Sequence, residues 1–132
     1  MEKKDVILSV RNLDVSFKTT AGDIHALRGV DFDVPRGKTI AIVGESGSGK
    51  SVTVKTAIGI LDSNGRINAG SAEFNYARES GEVIDLDLLK LPQKEMRHHI
   101  NGKRIAMVFQ DPMTSLNPTM TIGSQIMESL IL

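Results

Sequence analysis

Gly44-Glu45-Ser46-Gly47-Ser48-Gly49-Lys50-Ser51, entered from the run Lys38-Thr39-Ile40-Ala41-Ile42-Val43, is the stretch on which the fold turns. The octet satisfies G-x-x-x-x-G-K-[ST] at every fixed position. A polyphosphate has to be approached by backbone N–H groups, and side chains at the glycines would block it or forbid the required φ values. Lys50 supplies a mobile positive charge for the β- and γ-phosphates, and the Ser51 hydroxyl is small and placed to ligate Mg²⁺. The helix expected next adds the partial positive charge of its N-terminus. The competing reading is an accidental Gly/Ser loop, which at ordinary glycine usage arises in roughly one chain in several hundred. The context argues against accident. A β-branched apolar run precedes the loop, as for a strand covered on both faces, and Val54, Ile58 and Leu61 follow at helical spacing.

Upstream, Leu13, Val15 and Phe17 alternate with Asp14 and Ser16, and Val30, Phe32 and Val34 alternate with Asp31 and Asp33. This period predicts two half-buried strands around a turn at Thr20-Ala21-Gly22-Asp23. Downstream, Asn64-Gly65 is expected to break the helix. Ala72–Tyr76 and Val83–Leu86, either side of Ser80-Gly81, read as a hairpin, and Pro92–Arg97 as the opening of a short helix. Ile105–Phe109 is a second buried-type strand, and a last helix starts near Thr121 with Ile122, Ile126 and Leu130 in step. The chain stops on the apolar pair Ile131-Leu132, which predicts a chain cut within an element.

With 132 residues, 40% hydrophobic and 24% charged, the composition is that of an ordinary globular chain rather than a disordered one. Sixteen Lys+Arg balance sixteen Asp+Glu without a basic tail or acidic block, so no nucleic-acid partner is expected. The absence of cysteine excludes disulfides, iron–sulfur clusters and thiolate zinc sites. The start lacks a sustained apolar stretch and Ile40–Val43 is far too short to span a bilayer, so direct membrane insertion is not expected.

The phosphate loop alone does not choose among kinases, GTPases and transport ATPases, but the surrounding segments do. LSVRNLDVSF and HALRGVDFDV upstream, VGESGSGKS, and IAMVFQDPMTSLNPTMTIGSQI over 105–126 resemble the ATP-binding subunits of ABC transporters. Among these the chain most resembles the bacterial oligopeptide/dipeptide importers, of which QDPMTSLNP is typical. The resemblance implies an α/β P-loop NTPase nucleotide-binding domain. Residues 1–132 would be its incomplete N-terminal part: an antiparallel β subdomain and the Walker A strand-loop-helix, ending just after the Q-loop region. It also implies ATP and Mg²⁺ as ligands, with Gly44 to Ser51 as the Walker A loop. Gln110 would be the Q-loop glutamine that joins Ser51 on the metal and senses the γ-phosphate, and Phe17 the aromatic residue stacking on adenine. The implied partners are a second ABC ATPase subunit, identical or not, and transmembrane permease subunits docked through Asp111–Met120. The implied location is peripheral, on the cytoplasmic face of the membrane.

Each role has a plainer rival. Gln110 can be an ordinary strand-end polar residue and Phe17 a core residue. His25 reads as surface chemistry, and Arg97, His98, His99, Lys103 and Arg104 as a solvated face. Met107, Met113, Met120 and Met127 suit core packing or a partner groove.

Within the 132 residues there is no LSGG-type signature, no Walker B strand ending in Asp-Glu and no switch histidine. Val83-Ile84-Asp85-Leu86 precedes Gln110 and lacks the Glu. Phosphoryl transfer depends on positioning and electrostatics that those motifs supply, so the chain alone is expected to bind ATP without appreciable turnover. The leading expectation is the ATP-binding portion of an ATPase subunit powering peptide uptake. The alternative is a non-catalytic nucleotide-binding or regulatory module that docks on a full-length ABC partner. An ABC ATPase unrelated to transport is disfavoured by QDPMTSLNP.

Overall fold

The computed structural model describes residues 5–45, 47, 49–109 and 116–131. Four strands form one antiparallel sheet in the order β2-β1-β3-β4, with β1 Val6–Thr19, β2 Gly22–Pro35, β3 Gly65–Ala77 and β4 Val83–Asp87. Both hairpins expected from alternation form, and the strands run longer than the alternating cores of each segment. The β1–β2 turn is tied by the Thr19 hydroxyl, which donates to the Gly22 carbonyl at 2.6 Å. The β3–β4 turn closes with Arg78 N–H donating to Glu82 O at 2.8 Å and Gly81 N–H donating to Arg78 O at 2.9 Å.

The inner residues of β1, Val10, Leu13 and Val15, are fully buried. They form one core with Leu27 of β2, Ala72 and Phe74 of β3, Leu88 beyond β4, and Ala57, Met96 and Ile100. Removing such side chains from water, at roughly 1.5–3 kcal/mol for each large one, is the main drive to close the sheet over these elements.

Helix α1, Lys50–Ala57, differs from expectation in length and in the face it buries. It ends seven residues before Asn64-Gly65 in a Schellman motif: Ile60 N–H donates to Lys55 O at 2.9 Å and Gly59 N–H to Thr56 O at 3.1 Å, with Gly59 at φ 80°. Thr53, Thr56 and Ala57 are its buried residues, rather than Val54, Ile58 and Leu61. Threonine is admissible inside because each hydroxyl bonds back along the helix, Thr53 to Gly49 O and Thr56 to Val52 O, both at 2.7 Å.

Pro92 caps a short helix α2, Gln93–Glu95, which passes into a π-turn over Met96–Ile100. Helix α3, Ile122–Ile131, starts at Thr121, whose hydroxyl oxygen accepts from Ser124 N–H at 3.2 Å.

Two expected strands do not join the sheet. Residues 38–45 lie outside any strand and Val43 is 85% exposed. Residues 106–109 likewise lie outside any strand, Val108 is 95% exposed, and Ile105 makes only an isolated bridge to Asn101. A strand exists only against a ladder partner, and no described strand lies beside either run; the sheet ends at β2 and β4.

Candidate functional site

The turn that opens α1 is built, among the described residues, on Gly47, Gly49 and Lys50. Gly47 and Gly49 both have positive φ, 83° and 95°, a conformation that other residues enter only at a cost. Gly49 precedes the first residue of α1, and its carbonyl accepts Thr53 N–H at 2.9 Å. A Cβ at Gly49 would stand 2.9 Å from Leu27 Cδ2, whereas one at Gly47 would meet nothing within 4 Å. The corner is therefore pressed against the core on one side and open on the other.

Lys50 folds back over this corner. Its Nζ donates to Gly44 O and to Glu45 O, the latter at 2.9 Å. Among the described residues the ammonium's hydrogen-bond partners are these two carbonyls, which it can exchange for anionic oxygens. Ser51, next to it, is exposed. The first amides of α1 have no acidic residue in the first turn competing for them. The donor set suits an oxyanion: an ammonium, a hydroxyl and helix N-terminal amides with no carboxylate of that turn among them. Ser46 and Ser48 lie outside the described residues.

Phe17 lies near the end of β1, paired with Ile24 and Gly65, and packs half-buried against the core. Two positions earlier Val15 pairs with Leu27, the residue that touches Gly49. Phe17 is thereby placed within two strand residues, about 7 Å along the strand, of the core contact that seats the loop. Gln110, the remaining residue expected at the metal, lies outside the described residues, as do Asp111–Ser115 of the expected docking segment.

The rest of that segment is ordered by side chains. Asn117 Oδ1 accepts from Thr119 N–H at 2.9 Å and from its hydroxyl at 2.6 Å. Gln125 of α3 reaches back, accepting Asn117 N–H at 2.8 Å and donating to Asn117 O at 3.0 Å. Exposed Met120 and Leu116 flank this latch, and α3 presents Ile122, Ile126, Met127 and Leu130 at the surface. Met113 lies outside the described residues.

A polar cluster that sequence reasoning passed over spans the sheet. His25 Nε2 lies 2.6 Å from Asp14 Oδ1, and Asn68 Nδ2 donates to Asp14 Oδ1 and to Ser16 Oγ, each at 2.8 Å. The Asn68 amide and then His25 hold the Asp14 carboxyl below its ordinary range. On the other side of the β1 bulge, Arg11 pairs with Asp33 at 2.8 Å, and Arg11, with the Ser9 hydroxyl, lowers Asp33 likewise. The cross-strand register of His25 with Ser16 was the available signal, visible only once the hairpin turn is fixed.

Arg97, His98, His99, Lys103 and Arg104 are exposed. His99 pairs with Glu95 at 3.4 Å, and the Arg104 guanidinium lies over the Tyr76 ring at 4.6 Å. Among the described residues no three His, Cys, Asp or Glu gather as a metal site, and no helix is long and apolar enough to cross a membrane.

Comparison with known proteins adds to this geometry. The family model described as ABC transporter matches residues 27–130. The chain is 48% identical over 128 residues to the dipeptide transport ATP-binding protein DppD of Lactococcus lactis, covering 97% of this chain and 34% of that protein. It is 46% identical over 131 residues to the oligopeptide transport ATP-binding protein OppD of Escherichia coli, covering 99% and 36%. With the oligopeptide transport ATP-binding protein AmiE of Streptococcus pneumoniae it shares 44% over 130 residues, covering 98% and 34%. The chain thus spans about a third of the length of these relatives.

Proposed function

The chain belongs to the ABC transporter family, and from that premise we propose that it is the ATP-binding portion of an ATPase subunit that powers uptake of dipeptides or oligopeptides. The family uses ATP and Mg²⁺ generally. The single observation that carries the reading to this chain is Lys50, set beside two positive-φ glycines with the Gly44 and Glu45 carbonyls as its partners among the described residues.

In this reading Lys50 turns from those carbonyls to the β- and γ-phosphates, and the amides from Gly44 to Ser51 hold the remaining oxygens. The Ser51 hydroxyl holds Mg²⁺ together with Gln110. Bound ATP supplies the free energy of phosphoryl transfer; the loop's part is to bind and orient it. Phe17 offers its exposed ring surface to the adenine base, a contact that needs a π-face and no directional bond. A second ABC ATPase subunit faces the site, and permease subunits dock on Asp111–Met120, whose latch between Asn117 and Gln125 presents Leu116 and Met120 outward. The subunit then works at the cytoplasmic face of the membrane, held there by its partners. The names of the three relatives support the peptide substrate.

The site is tested by titrating Mg-ATP and, separately, tripolyphosphate into the chain. Both should bind and compete, with adenosine alone far weaker; tight adenosine binding with no tripolyphosphate binding would reject the phosphate-loop reading. The transport role is tested in cells: disruption of the gene should abolish uptake of labelled di- or oligopeptides, and undiminished uptake would reject it.

A further inference from the structure

Helix α1 is held at both ends by a glycine that receives the methyl group of a buried side chain. At the loop end Gly49 faces Leu27; at the far end Gly59 faces Met96, whose Cε would stand 2.6 Å from a Cβ there. Gly59 is also the left-handed residue of the Schellman motif, so the Met96 methyl lies directly against the backbone that terminates the helix. Met96 itself is 1% exposed and fixed at the head of the π-turn, where its carbonyl accepts Asn101 N–H at 2.7 Å and its amide donates to Pro92 O at 3.1 Å. Beside it, Thr56, Gly59, Leu61 and Leu88 help line a partly open pocket of about 70 Å³.

These contacts have a mechanical consequence. The helix between the two seats is only eight residues long, about 12 Å. Gly59 thus lies one short helix away from Lys50 and Ser51, and the pocket beside it leaves space into which the helix end can shift if Met96 is shortened. Plain core packing would also bury Met96. What ties this packing to the position of α1 is that the methyl lies against the glycine that ends the helix, while Leu27 lies against the glycine that opens it.

We infer that Met96 is a positioning residue for the phosphate loop: its methyl, seated on Gly59, sets the orientation of α1 and hence of the Lys50 and Ser51 groups that meet the phosphates. The inference rests on the nucleotide-binding reading of that loop. Ile100, equally buried at the other end of the same π-turn, lines a separate cleft beside Tyr76 and Leu86.

The test compares tripolyphosphate and Mg-ATP affinity with melting temperature for the wild-type chain, Met96→Ala, Met96→Leu and Ile100→Ala. Met96→Ala should weaken both ligands roughly tenfold, as for substitutions that act on a site through a packed network. Met96→Leu, which restores bulk at the seat, should recover most of that affinity. Ile100→Ala should lower the melting temperature comparably while leaving affinity within about twofold. Unchanged affinity in Met96→Ala, or an equal loss in Ile100→Ala, would overturn the inference. Should Met96→Ala not fold, Met96→Val decides by the same comparison. A wild-type chain that binds neither ligand overturns the nucleotide reading itself, and the positioning role with it.

Discussion

Leu27 and Gly49 meet so closely that a Cβ on the glycine would stand 2.9 Å from Leu27 Cδ2 and force one of them to shift. Leu27 is buried in β2 and paired with Val15 of β1. The antiparallel sheet therefore packs directly under the glycine that opens α1.

Gly49→Ala places a Cβ both at φ 95° and into Leu27. The backbone conformation alone costs about 1–2 kcal/mol, and the contact adds to it. Leu27→Ala removes the contact but not the conformational cost. Denaturant unfolding of both single variants and the double should show the double losing less than the sum by at least about 0.5 kcal/mol. Strict additivity would mean the contact carries no energy.

Acid should unfold the protein through Asp14 and Asp33. Both carboxyls are held below their ordinary value, about 3.9, Asp14 chiefly by Asn68 and Asp33 chiefly by Arg11. A lowered folded pKa gives stability that is complete above the unfolded value and is lost as pH falls through the folded one. The melting temperature should hold its contribution from these groups down to about pH 5 and lose it below about pH 4. An Asp14→Asn, Asp33→Asn variant should show a shallower acid limb, and an acid limb as steep as wild type would contradict this.

The exposed apolar residues predict self-association. Val43, Val108, Phe109, Ile122 and Leu130 all lie open to solvent, and such surface favours contact between copies. Sedimentation velocity should show concentration-dependent association of the 132-residue chain, reduced by Val108→Glu with Leu130→Glu. Monodisperse behaviour at every concentration would contradict it.

Steady-state phosphate release by the same 132 residues should not exceed that of Lys50→Ala, because these residues contain no Walker B carboxylate pair to orient water. A clear rate abolished by Lys50→Ala would show that they contain a complete catalytic set.

Much of the sheet was legible because Leu13, Val15 and Phe17, and Val30, Phe32 and Val34, alternate on a strand period, and the positive φ of Gly47 and Gly49 suits the glycine-rich octet in which they fall. The two apolar runs were misread for a physical reason. Lys38–Val43 and Ile105–Phe109 have the composition of strands covered on both faces, but composition does not supply the neighbours, and no described strand stands beside them. Helix α1 was misread because hydrophobic spacing favours Val54, Ile58 and Leu61. The threonines it buries satisfy their hydroxyls internally, and Gly59, a stop signal in plain view, lay inside the apparent period. The Asp14, His25 and Asn68 cluster joins three strands, so no local pattern reveals it.

The most direct test is a calorimetric titration of Mg-ATP into the wild-type chain and into Lys50→Ala, with circular dichroism and melting temperature showing both folded alike. Losing a charge-assisted contact of about 1.5–3 kcal/mol should weaken binding by at least roughly tenfold. One site on the wild type, lost or weakened to that extent in the variant, is expected if the loop over Gly44–Ser51 holds the nucleotide. Equal binding by both chains, or none by the wild type, would contradict it.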